Sequence, residues 1–474
     1  MIGNLKPHAA YKDSGQDWLG AIPAHWSLLR AKRLFREVDE RSKTGGEELL
    51  SVSHLTGVTP RRMKNVTMFL AESNVGHKVC RPGDLVINTL WAWMAALGVT
   101  RNTGLVSPAY GVYRPIDGGG ILPSYADQLL RTPMYAAEYQ RRSTGVNSSR
   151  LRLYPEQFLR VPVLVPPLDE QALIVRFLNW ASARLDRTIL AKRNTIALLA
   201  EQKGAIINRA VTRGVDVGCQ LKPSGIPWLG EIPSHWKATP IRQIVAQGRS
   251  SIVNGPFGSD LLTSELKAHG VPVVYIRDIS SGKYSRKSKS HVTTKKAASV
   301  SFCQVLPGDV LVAKVGDPPG TAAKYPDGEP SAIVTQDVIR VRPDPRSVLS
   351  DYLVVLLNSP AGRILVGPIC VESTRGRFSL PDFRGLSVVL PPINEQADIL
   401  DAIRLSVEPA NVAVSRLDRE IELIREFRAR LFADVVTGQF DVREAAALLP
   451  EVDLIVPSDD LVDTAELTVE ENEA

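Results

Sequence analysis

Residues 18–26 read WLGAIPAHW, and residues 228–236 read WLGEIPSHW. Seven of the nine positions are identical, and each copy carries two tryptophans, Trp18 and Trp26 in one, Trp228 and Trp236 in the other. The likeness continues downstream at an offset of 225. Pro82-Gly83-Asp84 matches Pro307-Gly308-Asp309, and Phe158 matches Phe383. Pro166-Pro167 with Glu170-Gln171 matches Pro391-Pro392 with Glu395-Gln396, and Val211-Thr212 matches Val436-Thr437. The second copy therefore holds about 15 extra residues between its box and its Pro-Gly-Asp turn. A period above 200 residues is too long for a solenoid repeat and means two copies of one domain-sized unit.

Each unit has the same internal order. The box is followed by short apolar runs, such as Val271–Ile276, Val310–Ala313 and Val338–Val341, whose β-branched content and Gly/Pro bounds predict strands. A short helical pattern follows in each copy, Ser124–Arg131 and Ser350–Asn358, with Pro133 and Pro360 shortly after as stops.

Two prolines then announce a long helix in each copy. Apolar residues fall at Leu178, Leu185, Ile189, Ile196, Leu199 and Ile206 in the first. In the second they fall at Leu400, Ile403, Val407, Ala410, Val414, Leu417, Ile421, Ile424 and Leu431. Steps of three and four, or their sum of seven, make the seam of a coiled coil. So long an amphipathic helix cannot bury its stripe on a small domain alone. The two helices are expected to pack on one another, antiparallel if a pseudo-two-fold axis relates the copies. The alternative is that each packs separately within its own unit. Pro409 removes a helix hydrogen bond and is expected to kink or interrupt the second helix.

The length of 474 residues allows two to four domains. No apolar run approaches a membrane span, and none follows Lys6 as a secretory signal would require. Cys80, Cys219, Cys303 and Cys370 are scattered, with no CxxC, which argues against a zinc module and for a reducing, cytoplasmic compartment. The chain is +6 overall, but from Asp441 onward it holds eleven acidic residues and one basic, so the preceding 440 residues carry +16. A body this basic fits a polyanion binder, although solvated surface charge would look the same.

Catalytic patterns are not found. Asp317-Pro318-Pro319-Gly320 approaches the loop of amino-group methyltransferases, but ends in glycine where an aromatic must hold a flipped base, and reads as a turn. There is no Gly-rich phosphate loop. Glu265-Leu266-Lys267 lacks a spaced acidic partner for a metal-dependent nuclease and reads as helix surface. No HxxxH pair or nucleophile elbow occurs. His25 and His235 recur between Pro and Trp, which suggests packing more than catalysis.

Binding patterns are better represented. Cations stand with Asn, Ser and Gly at Arg61, Arg62 and Lys64; at Arg101 and Asn102; and at Arg141 and Arg142 leading to Asn147 and Arg150. The second unit has Asn254, then Lys283, Arg286, Lys287 and Lys289, then Arg375 and Arg377. Arg reads guanine edges, Asn reads adenine, and all of these can hold phosphate.

Together these features resemble the specificity subunit of type I restriction–modification systems, over about residues 10–443. The carriers are the duplicated boxes; Gly255-Pro256-Phe257-Gly258-Ser259, similar to the start of many target-recognition domains; Pro-Pro-x-x-Glu-Gln opening each long helix; and Ala210-Val211-Thr212-Arg213-Gly214 with Val435-Val436-Thr437-Gly438 closing them. The first unit lacks a copy of the GPFGS segment, which leaves its strand layout open. The resemblance implies an α+β fold: two globular target-recognition domains joined by two long helices in an antiparallel coiled coil. The expected division is 1–166 and 214–390 for the recognition domains, 167–213 and 391–437 for the helices, and 438–474 for an acidic, disordered tail. It further implies double-stranded DNA, two modification (methyltransferase) subunits and motor-nuclease restriction subunits as partners, with no membrane. The chain itself would do no chemistry and bind no cofactor or metal, with S-adenosylmethionine, ATP and Mg held by its partners. Unlike recognition segments, residues 30–150 and 240–375, would select an asymmetric bipartite site. The alternatives are an enzyme with unseen motifs, a coiled-coil scaffold that ignores DNA, and a specificity subunit of another methyltransferase-based defence system.

Overall fold

The computed structural model describes residues 5–450 except 64–72, 146–150, 217, 227, 249, 257–259 and 372–375. The chain divides into two compact units at Ala191/Lys192 and Asp418/Arg419. The first unit holds the described residues outside those two points, and the second unit holds those between them.

Each unit is built on a four-stranded antiparallel sheet of the same order. In the first it runs Phe35–Glu37, Gly111–Pro115, Leu85–Ile87, Leu97–Val99. In the second it runs Ile252–Asn254, Val338–Val341, Val310–Ala313, Ala322–Lys324. The strand layout of the first unit, which the sequence left open, thus matches the second. Burial on both faces explains why the central strands Leu85–Ile87 and Val310–Ala313 are apolar throughout. Val310 and Val312 face one core and Leu311 another; Leu85 and Ile87 likewise face one core and Val86 another. The second unit adds a mixed sheet in which Val271–Val274 runs parallel to Ala332–Val334.

The short helices form at Pro123–Leu130 and Ser350–Asn358. Pro133 and Pro360 do more than stop them. Each opens a further helix, Pro133–Arg142 and Pro360–Val366, at the position where a missing N–H costs nothing.

The long helices span Leu168–Arg213 and Ile393–Val436. Each is followed by a glycine in the left-handed region, Gly214 at φ +74° and Gly438 at φ +79°, where a side chain would be strained. Both division points fall inside the helices, so each helix begins in one unit and ends in the other. In the first unit, Ile174, Phe177, Leu178 and Ala181 share a core with Leu431, Val435 and Val436. Asp186 also pairs with Arg428 at 2.7 Å. In the second, Ile207, Ala210 and Val211 share a core with Ile399, Leu400, Ile403 and Val407. The start of one helix therefore packs against the end of the other in each unit, which is the antiparallel sense. Neither helix is confined to its own unit, as the alternative reading required.

Of the seam residues, Leu178, Ile189, Ile403, Ile421 and Leu431 are buried, and Leu185, Ile196, Leu199, Ile206, Val407, Val414, Leu417 and Ile424 are half-buried. Pro409 does not interrupt the second helix, which is continuous through it. Pro409 and Leu405 both lie on the exposed side, where water can reach the carbonyl that proline leaves unpaired. The acidic tail also begins later than expected. A helix at Arg443–Ala447 and the buried side chains of Val442, Ala446 and Leu449 belong to the core of the first unit. Apolar spacing at these positions outweighs the nearby acidic composition.

Candidate nucleic-acid interface

The two duplicated motifs meet in space. In the first unit the strand Ala21–Pro23 turns at His25 and Trp26, whose backbone N–H donates to Pro23 O at 3.0 Å. Glu170, in the first turn of the long helix, then accepts from Trp26 Nε1 at 3.1 Å and lies 2.7 Å from His25 Nε2. The second unit repeats this with Glu395, Trp236 and His235 at the same two distances. His25 and His235, expected to be packing residues, are therefore hydrogen-bonded partners of a carboxylate.

The adjacent glutamine is equally fixed. Gln171 accepts from Leu122 N at 2.8 Å and donates to Gly120 O and Pro166 O, each at 2.8 Å. Gln396 accepts from Leu349 N at 2.9 Å and donates to Ser347 O and Pro391 O, each at 3.0 Å. Asp84 and Asp309 of the Pro-Gly-Asp turns each take a bidentate arginine, Arg114 and Arg342, with all four bonds at 2.8 Å. These repeated contacts make the scaffold on which the differing loops stand.

The candidate DNA-binding residues that are described lie on turns and loops, at a helix end and on short strands. Arg61 and Arg62 sit in the single turn Arg61–Met63, and Arg62 pairs with Glu48 at 2.8 Å. Arg101 and Asn102 are exposed at the turn between strands Leu97–Val99 and Gly104–Val106. Arg141 and Arg142 end the helix Pro133–Arg142, and both bind Glu138, whose side chain is 1% exposed. Burial pushes the Glu138 carboxyl up, but the two guanidinium groups outweigh it and hold the group below its ordinary range. Lys64, Asn147, Arg150 and Arg375 lie outside the described residues.

In the second unit, Lys283, Arg286, Lys287 and Lys289 are exposed on one segment. Arg286 pairs with Glu329. Buried Asp278 braces the segment, accepting from Lys287 N at 2.9 Å, Ser288 N at 2.8 Å and Tyr275 N at 2.8 Å. Asn254 donates to Gln336 O at 3.3 Å, and Arg377 is exposed on the strand Gly376–Arg377. The two units differ here: buried Glu138 binds the two guanidinium groups themselves, whereas buried Asp278 holds backbone N–H groups and leaves the cationic side chains of its segment exposed. Such preordering lowers the entropy lost when the charges meet a partner.

Reading by sequence missed Glu138 and Asp278, because a buried carboxylate looks like any surface acid in a string of letters. It also missed an open cleft in the first unit where Arg30, Lys32 and Arg160 join Arg142. A signal for the Glu170 and Glu395 contacts was present, since both recur with the boxes.

No family model matches the chain. The chain is 21% identical over 355 residues to the specificity subunit of the type I restriction enzyme StySPI of Salmonella potsdam, covering 70% of this chain and 71% of that one. It is 22% identical over 366 residues to the EcoKI specificity subunit of Escherichia coli K12, again covering 70% and 71%. A solved structure, described as the basis of complex assembly and conformational transition of the type I restriction–modification system, has a chain with the same fold. The TM-score is 0.61 at 13% identity, over 88% of this chain and 99% of that one.

Proposed function

We propose that this chain, a specificity subunit of a type I restriction–modification system, binds double-stranded DNA through two unlike recognition surfaces and reads an asymmetric bipartite site. The observation that carries this reading is the contrast between what repeats and what does not. The His/Trp–Glu contacts, the glutamine caps, the Asp–Arg turns and the central sheets recur in both units. The cationic segments do not: one is a helix end braced by Glu138, the other a loop braced by Asp278. Identical readers on a two-fold scaffold would select a palindrome; different readers select two unlike half-sites.

In this reading the long helices carry the partners. Leu190, Leu198, Leu405, Val412, Leu423 and Phe427 lie off the seam and are exposed on them, a supply of apolar contacts for modification subunits. Restriction subunits join that assembly. S-adenosylmethionine, ATP and Mg belong to those partners, and this chain supplies address and scaffold rather than chemistry. The four cysteines are free, in keeping with work in a reducing prokaryotic cytoplasm. Among the described residues no single helix is long and apolar enough to cross a membrane.

The test is to express the chain with its modification subunits and map methylated adenines genome-wide. Two unlike half-sites separated by a fixed gap are expected. A continuous palindrome, or methylation by the chain alone, overturns the reading. DNA-independent assembly with no sequence preference would favour a protein-bridging scaffold.

A further inference from the structure

We propose that His8, His25 and Glu170 form a site for one divalent transition-metal ion of the zinc class in the first unit. The three residues come from three separate stretches: the N-terminal segment, the Trp box and the first turn of the long helix. Their candidate ligand atoms all lie within 4.8 Å of one another. Two imidazoles and a carboxylate suit zinc, cobalt, nickel and copper rather than calcium or magnesium. A bound ion would draw the three donors to about 3.4 Å apart, from ligand bonds of about 2.1 Å in tetrahedral geometry. The His25–Glu170 distance of 2.7 Å and the His8–Glu170 distance of 3.9 Å bracket that spacing.

His8 is the decisive residue. Its side chain is 2% exposed, and neither ring nitrogen has a hydrogen-bond partner among the described residues. Polar atoms buried without a partner are uncommon and call for an explanation. Nε2 faces Glu170 Oε1, and Nδ1 faces Asp441 Oδ2 at 3.7 Å. Both gaps are too long for hydrogen bonds. They suit an imidazole whose Nε2 takes a metal while Nδ1–H points at a second carboxylate, the arrangement common to histidine ligands. Trp26 Nε1 already orients the Glu170 carboxylate.

The second unit is an internal control. At the offset of the Trp boxes, Gly218 stands where the first unit has His8. The His235–Glu395 contact persists there unchanged at 2.7 Å. The histidine–glutamate contact therefore needs no third residue, and His8 is an addition specific to one unit. One site is expected, not two.

The test uses the full-length, tag-free chain stripped with chelator and titrated separately with Zn²⁺ and Co²⁺. One equivalent of Zn²⁺ should bind and raise the Tm, and Co²⁺ should give the visible absorption of a nitrogen- and oxygen-ligated ion. His8→Gly, which copies the second unit, and the gentler His8→Gln should each weaken Zn²⁺ binding about 100-fold or more. His235→Ala should leave binding unchanged. Absence of a stoichiometric equivalent in the wild type, or full retention in a folded His8 variant, overturns the proposal. Should neither His8 variant fold, the wild-type stoichiometry and Co²⁺ spectrum decide the matter alone.

Discussion

Trp26 donates its indole N–H to Glu170 at 3.1 Å, and Trp236 donates to Glu395 at the same distance, although the tryptophans are 210 residues apart and the glutamates 225. The extra residues of the second copy are thus absorbed between box and helix without disturbing either end. What the contact does is join the entry strand of each unit to the first turn of its long helix. The carboxylate also sits where a helix N-terminus favours negative charge.

Loss of this contact should be felt unequally. Glu170 has a side chain 4% exposed, whereas Glu395 is 24% exposed. Glu170→Ala strands a buried indole N–H and should cost about 2–3 kcal/mol; Glu395→Ala should cost about 1 kcal/mol, because water can replace part of the lost contact. Denaturant unfolding of the two variants measures this, and equal costs would contradict it.

A second prediction concerns pH. The Glu138 carboxyl lies below its ordinary value of 4.5, with burial opposing and Arg141 and Arg142 prevailing. A depressed carboxylate contributes stability above its unfolded value, and that contribution is lost as pH falls through the folded value. The unfolding midpoint should therefore drop as the medium is acidified below about pH 4.5. Glu138→Gln should be less stable at neutral pH and show a shallower acid dependence than the wild type.

Asp278 should matter to reading rather than to the fold as a whole. Asp278→Ala releases the N–H groups of Tyr275, Lys287 and Ser288. Amide exchange should rise across residues 283–289, and methylation mapping should show a blurred half-site for the second unit with the other half-site intact. Loss of both half-sites would mean that the brace serves assembly instead.

The duplication, the two long helices and their seam were legible because each repeats a strong pattern: tryptophan boxes, paired prolines and steps of three and four. The four-stranded sheets were only partly legible. Val310–Ala313 shows as a continuous apolar run and Val338–Val341 as one broken only by Arg340, but two of the three residues of Phe35–Glu37 are charged, and only its pairing with Gly111–Pro115 makes it a strand. Long-range contacts hid the rest. Nothing local relates His8 to Glu170 or Asp441. The acidic segment misled for a similar reason: Val442, Ala446 and Leu449 form a buried face among residues that look like a tail.

That boundary sharpens a charge prediction. Residues 451–474 hold nine acidic residues and no basic one, and they lie beyond the packed Leu449. Removing them should raise non-specific DNA affinity at low salt, since a competing polyanion is lost from a basic chain, and leave the recognised sequence unchanged. Cutting at 444 would instead remove part of the core and should destabilise the first unit. Equal affinity with and without residues 451–474 would deny the tail any such role.

The last prediction tests the long helices as a ruler. Their division points, Ala191/Lys192 and Asp418/Arg419, lie close to Arg193 and Asp418, between the seam positions Ile189 and Ile196 and between Val414 and Ile421. Seven residues inserted after Arg193 and seven after Asp418 keep the heptad seam in register. Both helices must be lengthened, or one would bulge against the other. A helix rises about 1.5 Å per residue, so the insertion adds roughly 10 Å. DNA rises about 3.4 Å per base pair, so the unread gap should grow by about three pairs. Three pairs also rotate the second half-site by roughly 100°, given about 10.5 pairs per turn. Methylation by the variant should therefore be weaker, retain both half-sites and show the longer gap. A variant that methylates sites with the original gap would show that the helices do not set the distance.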